Sequence, residues 1–309
     1  MQTIRVTSFH DVQHWAGTFP QESWIDRVIT EEATVLKPDG SPLLIVLRKA
    51  IDGQLYQHAY NAIAPLARST GHFNRGIAAG KILPPNAEGI VEGVDKGRHI
   101  GMQTAVRYRP FKKDGTLSKT VYAKKTPSQI VGFADRSPRF PYCRQTVYTN
   151  RYPDRMTDLL PCLQALDTLF ASRLPHRHAA QQAMIDQTST DFYFPGTTFT
   201  TVTVNRNWQT ALHRDAGDLA AGFGVMLCLR AGQYTGGLYV MPAFGVAVDL
   251  QAGDVILSDV HEWHGNTALA GDESRYERIT MVCYYRQKMI ECLSMAEEVR
   301  RVRYARGTL

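Results

Sequence analysis

The spacing of hydrophobic positions changes near residue 192 of this chain. Upstream, helical periods dominate. Residues 53–68 carry an amphipathic pattern, and Leu159, Leu160, Leu163, Leu166 and Phe170 line one face of a helix over 156–170, with Pro161 near its start. A further helix follows Pro175, and these helices are expected to cover one face of a sheet. Leu43-Leu44-Ile45-Val46-Leu47 is an unbroken apolar run of strand length, which predicts a buried strand. Downstream, short apolar segments at 199–204, 224–229, 245–250 and 254–257 are separated by Gly-containing turns. Many short strands at even spacing predict an antiparallel barrel or sandwich. Residues 287–306 read as a charged helix ending in Arg300, Arg301, Arg303 and Arg306. No Pro-, Gly- or Ser-rich linker and no repeat interrupts the chain, so residues 1–309 are expected to form one domain. Its parts are a support region at 1–190, a β core at 191–288 and a C-terminal helix at 289–309.

Alternation is sharpest at 278–286. Arg278, Thr280, Val282, Tyr284 and Arg286 share one face, and Ile279, Met281, Cys283 and Tyr285 share the other. If this strand lines a barrel, the polar face is the inside. Two arginines there need an anionic or polar ligand, because unpaired buried charge is costly. Taken alone, the same face reads as solvent-exposed.

Composition narrows the class. The chain has 309 residues, 44% of them hydrophobic and 21% charged, which suits a folded enzyme-sized domain. A net charge of +6 suits an acidic partner such as DNA without requiring one. Five cysteines (143, 162, 228, 283, 292) show no C-x-x-C spacing, so a reducing compartment and no disulfide framework are expected. That compartment is a cytoplasm, or a nucleus in a eukaryote. The N-terminal residues lack an apolar core, and no window approaches 18 apolar residues, so neither secretion nor membrane spanning is expected. Segment 107–125 places seven basic residues and three aromatics around Asp114-Gly115, a hairpin signal. It reads equally as a grip on a phosphate backbone or as a solvated surface hairpin. Gly-rich residues 72–80 lack the Lys-Ser/Thr ending of a phosphate loop.

The candidate chemistry lies between 212 and 286. His213 and Asp215 are two apart, so a strand would turn both toward one ion. A later His and Arg278 complete a pattern with a mechanism. Two imidazoles and one carboxylate hold Fe(II) on one face and leave the other open. A planar guanidinium anchors the distal carboxylate of 2-oxoglutarate through two parallel hydrogen bonds. His261 and His264 compete for the distal position. His264 is preferred, with His261 nearby but off the metal.

Several segments resemble the TET/J-binding-protein oxygenases: 210–218 with Leu212-His213-Arg214-Asp215, then Tyr234-Thr235-Gly236-Gly237, Gly253-Asp254-Val255, His261 to Thr267, and 278–286. The chain's length and the segments Asn74-Arg75-Gly76 and Pro141-Tyr142-Cys143-Arg144 look most like short viral and bacteriophage members. The resemblance covers roughly residues 70–290. It implies an α+β fold: a double-stranded β-helix (jelly-roll) core flanked by helices, with an N-terminal α/β extension. It implies Fe(II) on His213, Asp215 and His264, and 2-oxoglutarate on Arg278 with Thr280 as hydroxyl helper. O₂ is the cosubstrate and ascorbate the reductant. It places Asp218, Tyr284 and Arg286 at a flipped base, where animal members carry Asn and His in place of Asp218 and Arg286. The implied activity is hydroxylation of the C5 methyl of a DNA pyrimidine by a monomer. 5-Methylcytosine is preferred and thymine is the alternative, with Asp218 expected to accept a hydrogen bond from the base. Two rivals stand beside this reading: an oxygenase of a small molecule or protein side chain, and a non-catalytic cupin-like protein that binds metal or DNA.

Overall fold

In the computed structural model, strand Glu277–Tyr284 sits inside a nine-stranded sheet. The structure describes residues 1–7, 9–71, 75–80, 86–94, 107–123, 125–138 and 140–305. His72, Phe73, Asn74, Lys124 and Arg306, which the sequence reading used, lie outside the described residues.

The sheet runs, edge to edge, Gln2–Arg5, Ala33–Leu36, Pro42–Leu47, Val255–Ser258, Gly224–Ala231, Glu277–Tyr284, Thr201–Arg206, Ser128–Ala134 and Arg144–Gln145. All neighbours are antiparallel except the first pair. One face carries helices Gly53–Ala67 and Pro153–Arg173. The other faces a four-stranded sheet of Gly265–Asn266, Tyr239–Met241, Val246–Val248 and Arg27–Ile29. The two sheets form a double-stranded β-helix in an α+β domain.

This sandwich explains the unbroken apolar run in Pro42–Leu47. Ile45 and Leu47 join the cluster under the helices, and Leu44 and Val46 join the cluster between the sheets. A strand covered on both sides has no polar face to show. Strand Glu277–Tyr284 divides differently. Ile279, Met281 and Cys283 enter the helix-side core, and Arg278, Thr280, Val282 and Tyr284 line a cavity between the sheets. Proline at the first turn starts the helices Pro153–Arg173 and Pro175–Ile185. Pro161 lies inside the first helix, three residues further from its start than the periodicity suggested. The basic hairpin forms as expected, with Arg107–Pro110 antiparallel to Tyr122–Ala123 and Gly115 in the left-handed region of its turn (φ +77°). Arg109 in that hairpin pairs with Glu88 and Glu92. No helix among the described residues is long and apolar enough to cross a membrane.

Two expectations need correction. Residues 287–306 do not form one helix. A 3₁₀ turn at Gln287–Glu291 is followed by a helix at Met295–Ala305. Ser294 and Glu297 exchange hydrogen bonds as a capping box, which fixes the helix start. Cys143 and Cys292 are also joined in a disulfide across 149 residues of sequence. Spacing along the chain carries no information about two cysteines that only the fold brings together. Cys162, Cys228 and Cys283 are free and buried.

Glu277 ties the central strand to its surroundings. Its carboxylate accepts from Tyr60 Oη (2.6 Å), Arg206 Nε (2.6 Å) and both Nε and Nη2 of Arg68 (3.0 Å each). Burial raises its pKa, but the bonds from Arg68, Tyr60 and Arg206 outweigh it and bring the group down to about 2, against an ordinary 4.5. A lowered carboxylate pKa stabilises the fold fully above 4.5 and progressively less as pH falls toward 2. The contribution is on the order of 3 kcal/mol. Urea melts at pH 6 and pH 3 are expected to differ less in Glu277→Gln than in the wild type.

Candidate metal centre

The segment that crosses from strand Thr201–Arg206 to strand Gly224–Ala231 carries His213, Asp215 and Asp218. The pair His213 and Asp215 was expected on a regular strand, and this is not so. Isolated bridges hold the segment instead. His213 and His264 exchange backbone N–H···O bonds of 2.9 Å, and Asp215 N–H donates to Val260 O at 3.0 Å. Before it, Ala211 N–H donates to Ala78 O, and Leu212 N–H to Thr18 O. The chain stays extended long enough to aim both side chains one way, then turns at Ala216-Gly217.

One potential ligand atom from each of His213, Asp215 and His264 lies within 4.8 Å of the others. Asp215 Oδ1 is 3.6 Å from His213 Nε2, and its Oδ2 is 3.6 Å from His264 Nε2. Each imidazole donates its Nδ1–H to a nearby carbonyl, His213 to Ala211 O (2.7 Å) and His264 to Glu262 O (2.9 Å). These bonds set the tautomer and leave both Nε2 lone pairs facing Asp215. Burial and the neighbouring His213 bring the pKa of His264 down to about 4, so it is neutral at physiological pH, as a ligand must be. The donor set fits a facial Fe(II) site. His261 stands outside the cluster, beside Asp259 Oδ1 (3.4 Å) and the Asp218 carbonyl.

A cavity of about 550 Å³ opens from this cluster. Arg278 lines it and is only 5% exposed. Its backbone is locked to Asn207, but its guanidinium forms no ion pair among the described residues. A buried cation without an anion is costly until one arrives. A buried guanidinium on the cavity wall fits a dicarboxylate, with Thr280 beside it on the same face.

Asp218, Tyr284 and Arg286 line the same cavity. Asp218 and Arg286 form a backbone bridge. Burial, with the Asp215 charge adding to it and Arg286 opposing, holds the Asp218 carboxyl well above the ordinary range. Burial likewise raises Tyr284, whose hydroxyl shares a 3.2 Å hydrogen bond with Thr203. Arg286 Nη2 forms an ion pair with Asp135 Oδ1 at 2.6 Å. Sequence reasoning did not assign Arg75, Thr203 or Asn205 to the cavity, and all three line it. The signal for Thr203 and Asn205 was present as alternation with Val202 and Val204, both fully buried. Arg75 lies deep beside Tyr284, Asp215 and Arg286.

Comparison with known proteins points the same way. Residues 130–287, just over half of the chain, match the family model Tet_JBP, the oxygenase domain of the 2OGFeDO superfamily. The bifunctional helicase and thymine dioxygenase JBP2 of Leishmania infantum is 34% identical over 170 residues, covering 54% of this chain and 15% of that protein. The thymine dioxygenase JBP1-B of Trypanosoma cruzi (strain CL Brener) is 30% identical over 238 residues, covering 75% of this chain and 27% of that protein. The chain thus spans less than a third of the length of these relatives. A solved structure of NgTET1 in complex with 5mC DNA superposes with a TM-score of 0.53 at 13% identity, covering 90% of this chain and 86% of that one. At that identity the likeness is one of fold.

Proposed function

This chain belongs to the Tet/JBP oxygenase family of the 2-oxoglutarate/Fe(II) superfamily, and from that premise we propose that it hydroxylates the C5 methyl of a pyrimidine in DNA. The finer reading is conversion of 5-methylcytosine to 5-hydroxymethylcytosine. Its cofactors are Fe(II) and 2-oxoglutarate. The observation that carries the reading is a single cavity lined by the His213–Asp215–His264 cluster, the buried Arg278 and the polar groups of Asp218 and Arg286.

When bound, iron and 2-oxoglutarate supply an oxidant from O₂, with succinate and CO₂ as coproducts. The rest is the work of this chain's residues. His213 and His264 present their Nε2 atoms, and Asp215 supplies a carboxylate. Arg278 binds the distal carboxylate bidentately and Thr280 adds a hydroxyl. The walls exclude water and fix the methyl in reach. A methyl group inside a duplex cannot enter such a cavity, so the nucleotide flips out. Tyr284 then flanks the base, and Asp218 and Arg286 read its edge.

The Asp218 carboxyl can accept from N4–H₂ of cytosine or from N3–H of thymine, so it does not discriminate. Arg286 does. A permanent donor facing N3 suits cytosine, whose N3 accepts, over thymine, whose N3–H donates. Thymine is kept as the second reading because the relatives JBP1-B and JBP2 are named thymine dioxygenases.

Nucleoside mass spectrometry of methylated and unmethylated DNA, after incubation with protein, Fe(II), ascorbate and 2-oxoglutarate, decides the matter. 5-Hydroxymethylcytosine is the expected product. 5-Hydroxymethyluracil in its place establishes the thymine reading, and no oxidised nucleoside from either DNA overturns the proposal. Asp218→Asn and Arg286→His, assayed on both bases, are expected to lower the rate, and the Arg286 variant to shift the base ratio by about tenfold. Unchanged rate and ratio in both remove the two residues from the base edge.

A further inference from the structure

Asp135 touches neither the metal cluster nor the cavity as outlined, yet it holds the one cation on which base choice rests. It follows the last residue of strand Ser128–Ala134, and its Oδ1 lies 2.6 Å from Arg286 Nη2 in an ion pair. Both side chains are largely shielded, 13% and 30% exposed, so the pair is less screened than a surface pair. The Arg286 backbone is already fixed, because its N–H donates to Thr200 Oγ1 at 3.0 Å. Only the side-chain rotamer remains free. Arg75 and Arg144 act on the same guanidinium as like charges. Asp218 and Tyr284 act on it in the opposite sense, but Asp135 is the carboxylate in direct contact with it, and losing that contact lets the repulsion favour rotamers that leave the cavity. Asp135 pairs with one edge of the guanidinium, while the buried Arg286 Nε–H has no hydrogen-bond partner among the described residues. A donor left over inside a ligand cavity is free for a ligand acceptor.

Asp135 itself is held from behind. The loop that follows it is tied to the C-terminal helix through Glu298, which is 1% exposed. The Glu298 carboxylate accepts from Arg136 Nη2 (2.5 Å), Cys143 N–H (2.9 Å) and Leu293 N–H (3.1 Å). The Cys143–Cys292 disulfide closes the same loop on the same segment, and Arg144 Nη1 donates to the Asp135 carbonyl at 3.2 Å.

We propose that Asp135 is a positioning residue for base choice, holding the Arg286 guanidinium against the Watson–Crick edge of the flipped pyrimidine. This rests on the base-edge reading of Arg286 given above. The C-terminal helix, by anchoring the loop, is part of the same support.

The test is a double-variant cycle of Asp135→Asn, Arg286→Gln and the two combined, with kcat and KM measured on DNA containing 5-methylcytosine and on DNA with thymine only. Asp135→Asn is expected to lose about tenfold in kcat/KM on the preferred base, more through KM than kcat, and to move the base ratio toward one. In the Arg286→Gln background it is expected to cost nothing further, because a residue that acts through Arg286 has nothing left to position. Asp135→Glu keeps the charge and is expected to recover most of the base ratio, and it carries the cycle if Asp135→Asn does not fold. Additive losses in the double variant overturn the proposal, as does an unchanged base ratio in Asp135→Asn beside a changed one in Arg286→Gln. If Arg286→Gln itself leaves rate and ratio untouched, the base-edge reading fails and takes this inference with it.

Discussion

Asp215→Ala is expected to lose iron binding and turnover together while the protein stays folded. The carboxylate is the only acidic group in a cluster otherwise made of two imidazoles, so its loss removes both a ligand and the charge that balances the metal. Removing a partner that only orients a ligand costs about 10–100-fold in metal affinity, and losing a ligand outright costs more. Turnover is expected to fall by at least about 10³-fold. His264→Ala should behave alike. His261→Ala is the internal control, because that ring lies outside the cluster against Asp259, and it is expected to keep its iron. The fold should not suffer from the loss of Asp215. Its backbone is held by Val260, and its charge adds to the cost of ionising Asp218. Sites built for function trade away stability in this way. Iron stoichiometry, succinate release and thermal melting of the metal-free protein separate the outcomes. A variant that keeps full iron, or one that loses iron only because it unfolds, ends the assignment of Asp215 as a ligand.

Much of this arrangement was legible in the residues, and what was not has a physical reason. Strand Glu277–Tyr284 could be divided into a cavity face and a core face because strand period is two and its two faces meet different surroundings. Pro42–Leu47 could be recognised as buried because both of its faces are apolar. The His213–Asp215 pair could be found by spacing, although its backbone is pinned by single bridges and not by a ladder. Gly265–Asn266 and Arg27–Ile29 carry too little pattern to stand out, and they are the two edge strands of the four-stranded sheet. The Ser294–Glu297 capping box was present in the letters, but the charge run that follows it dominated the reading. Asp135 on Arg286 and Cys143 on Cys292 are contacts between distant parts of the chain, with no local signature at either end.

Arg278→Leu tests the other half of the cofactor site, and its two expected effects have opposite signs. The guanidinium is 5% exposed and forms no ion pair among the described residues. If its counter-ion is the distal carboxylate of 2-oxoglutarate, removal should weaken binding of that molecule by about 10²–10³-fold, the value of a charge-assisted bidentate pair shielded from water. Arg278→Lys keeps the charge and loses the planar fork, so it is expected to fall between the two. In the protein without 2-oxoglutarate, Arg278→Leu removes an uncompensated buried charge, and its melting temperature is expected to hold or rise. Had Arg278 been one partner of a structural ion pair, the same substitution would strand the other partner and cost about 3–5 kcal/mol. Calorimetric titration of 2-oxoglutarate into the metal-loaded protein, beside melts with and without it, reads both effects. Weak binding with a stable unliganded fold supports the anchor. Unchanged affinity, or a melting temperature that collapses without ligand, makes Arg278 a structural residue and leaves the dicarboxylate without its anchor.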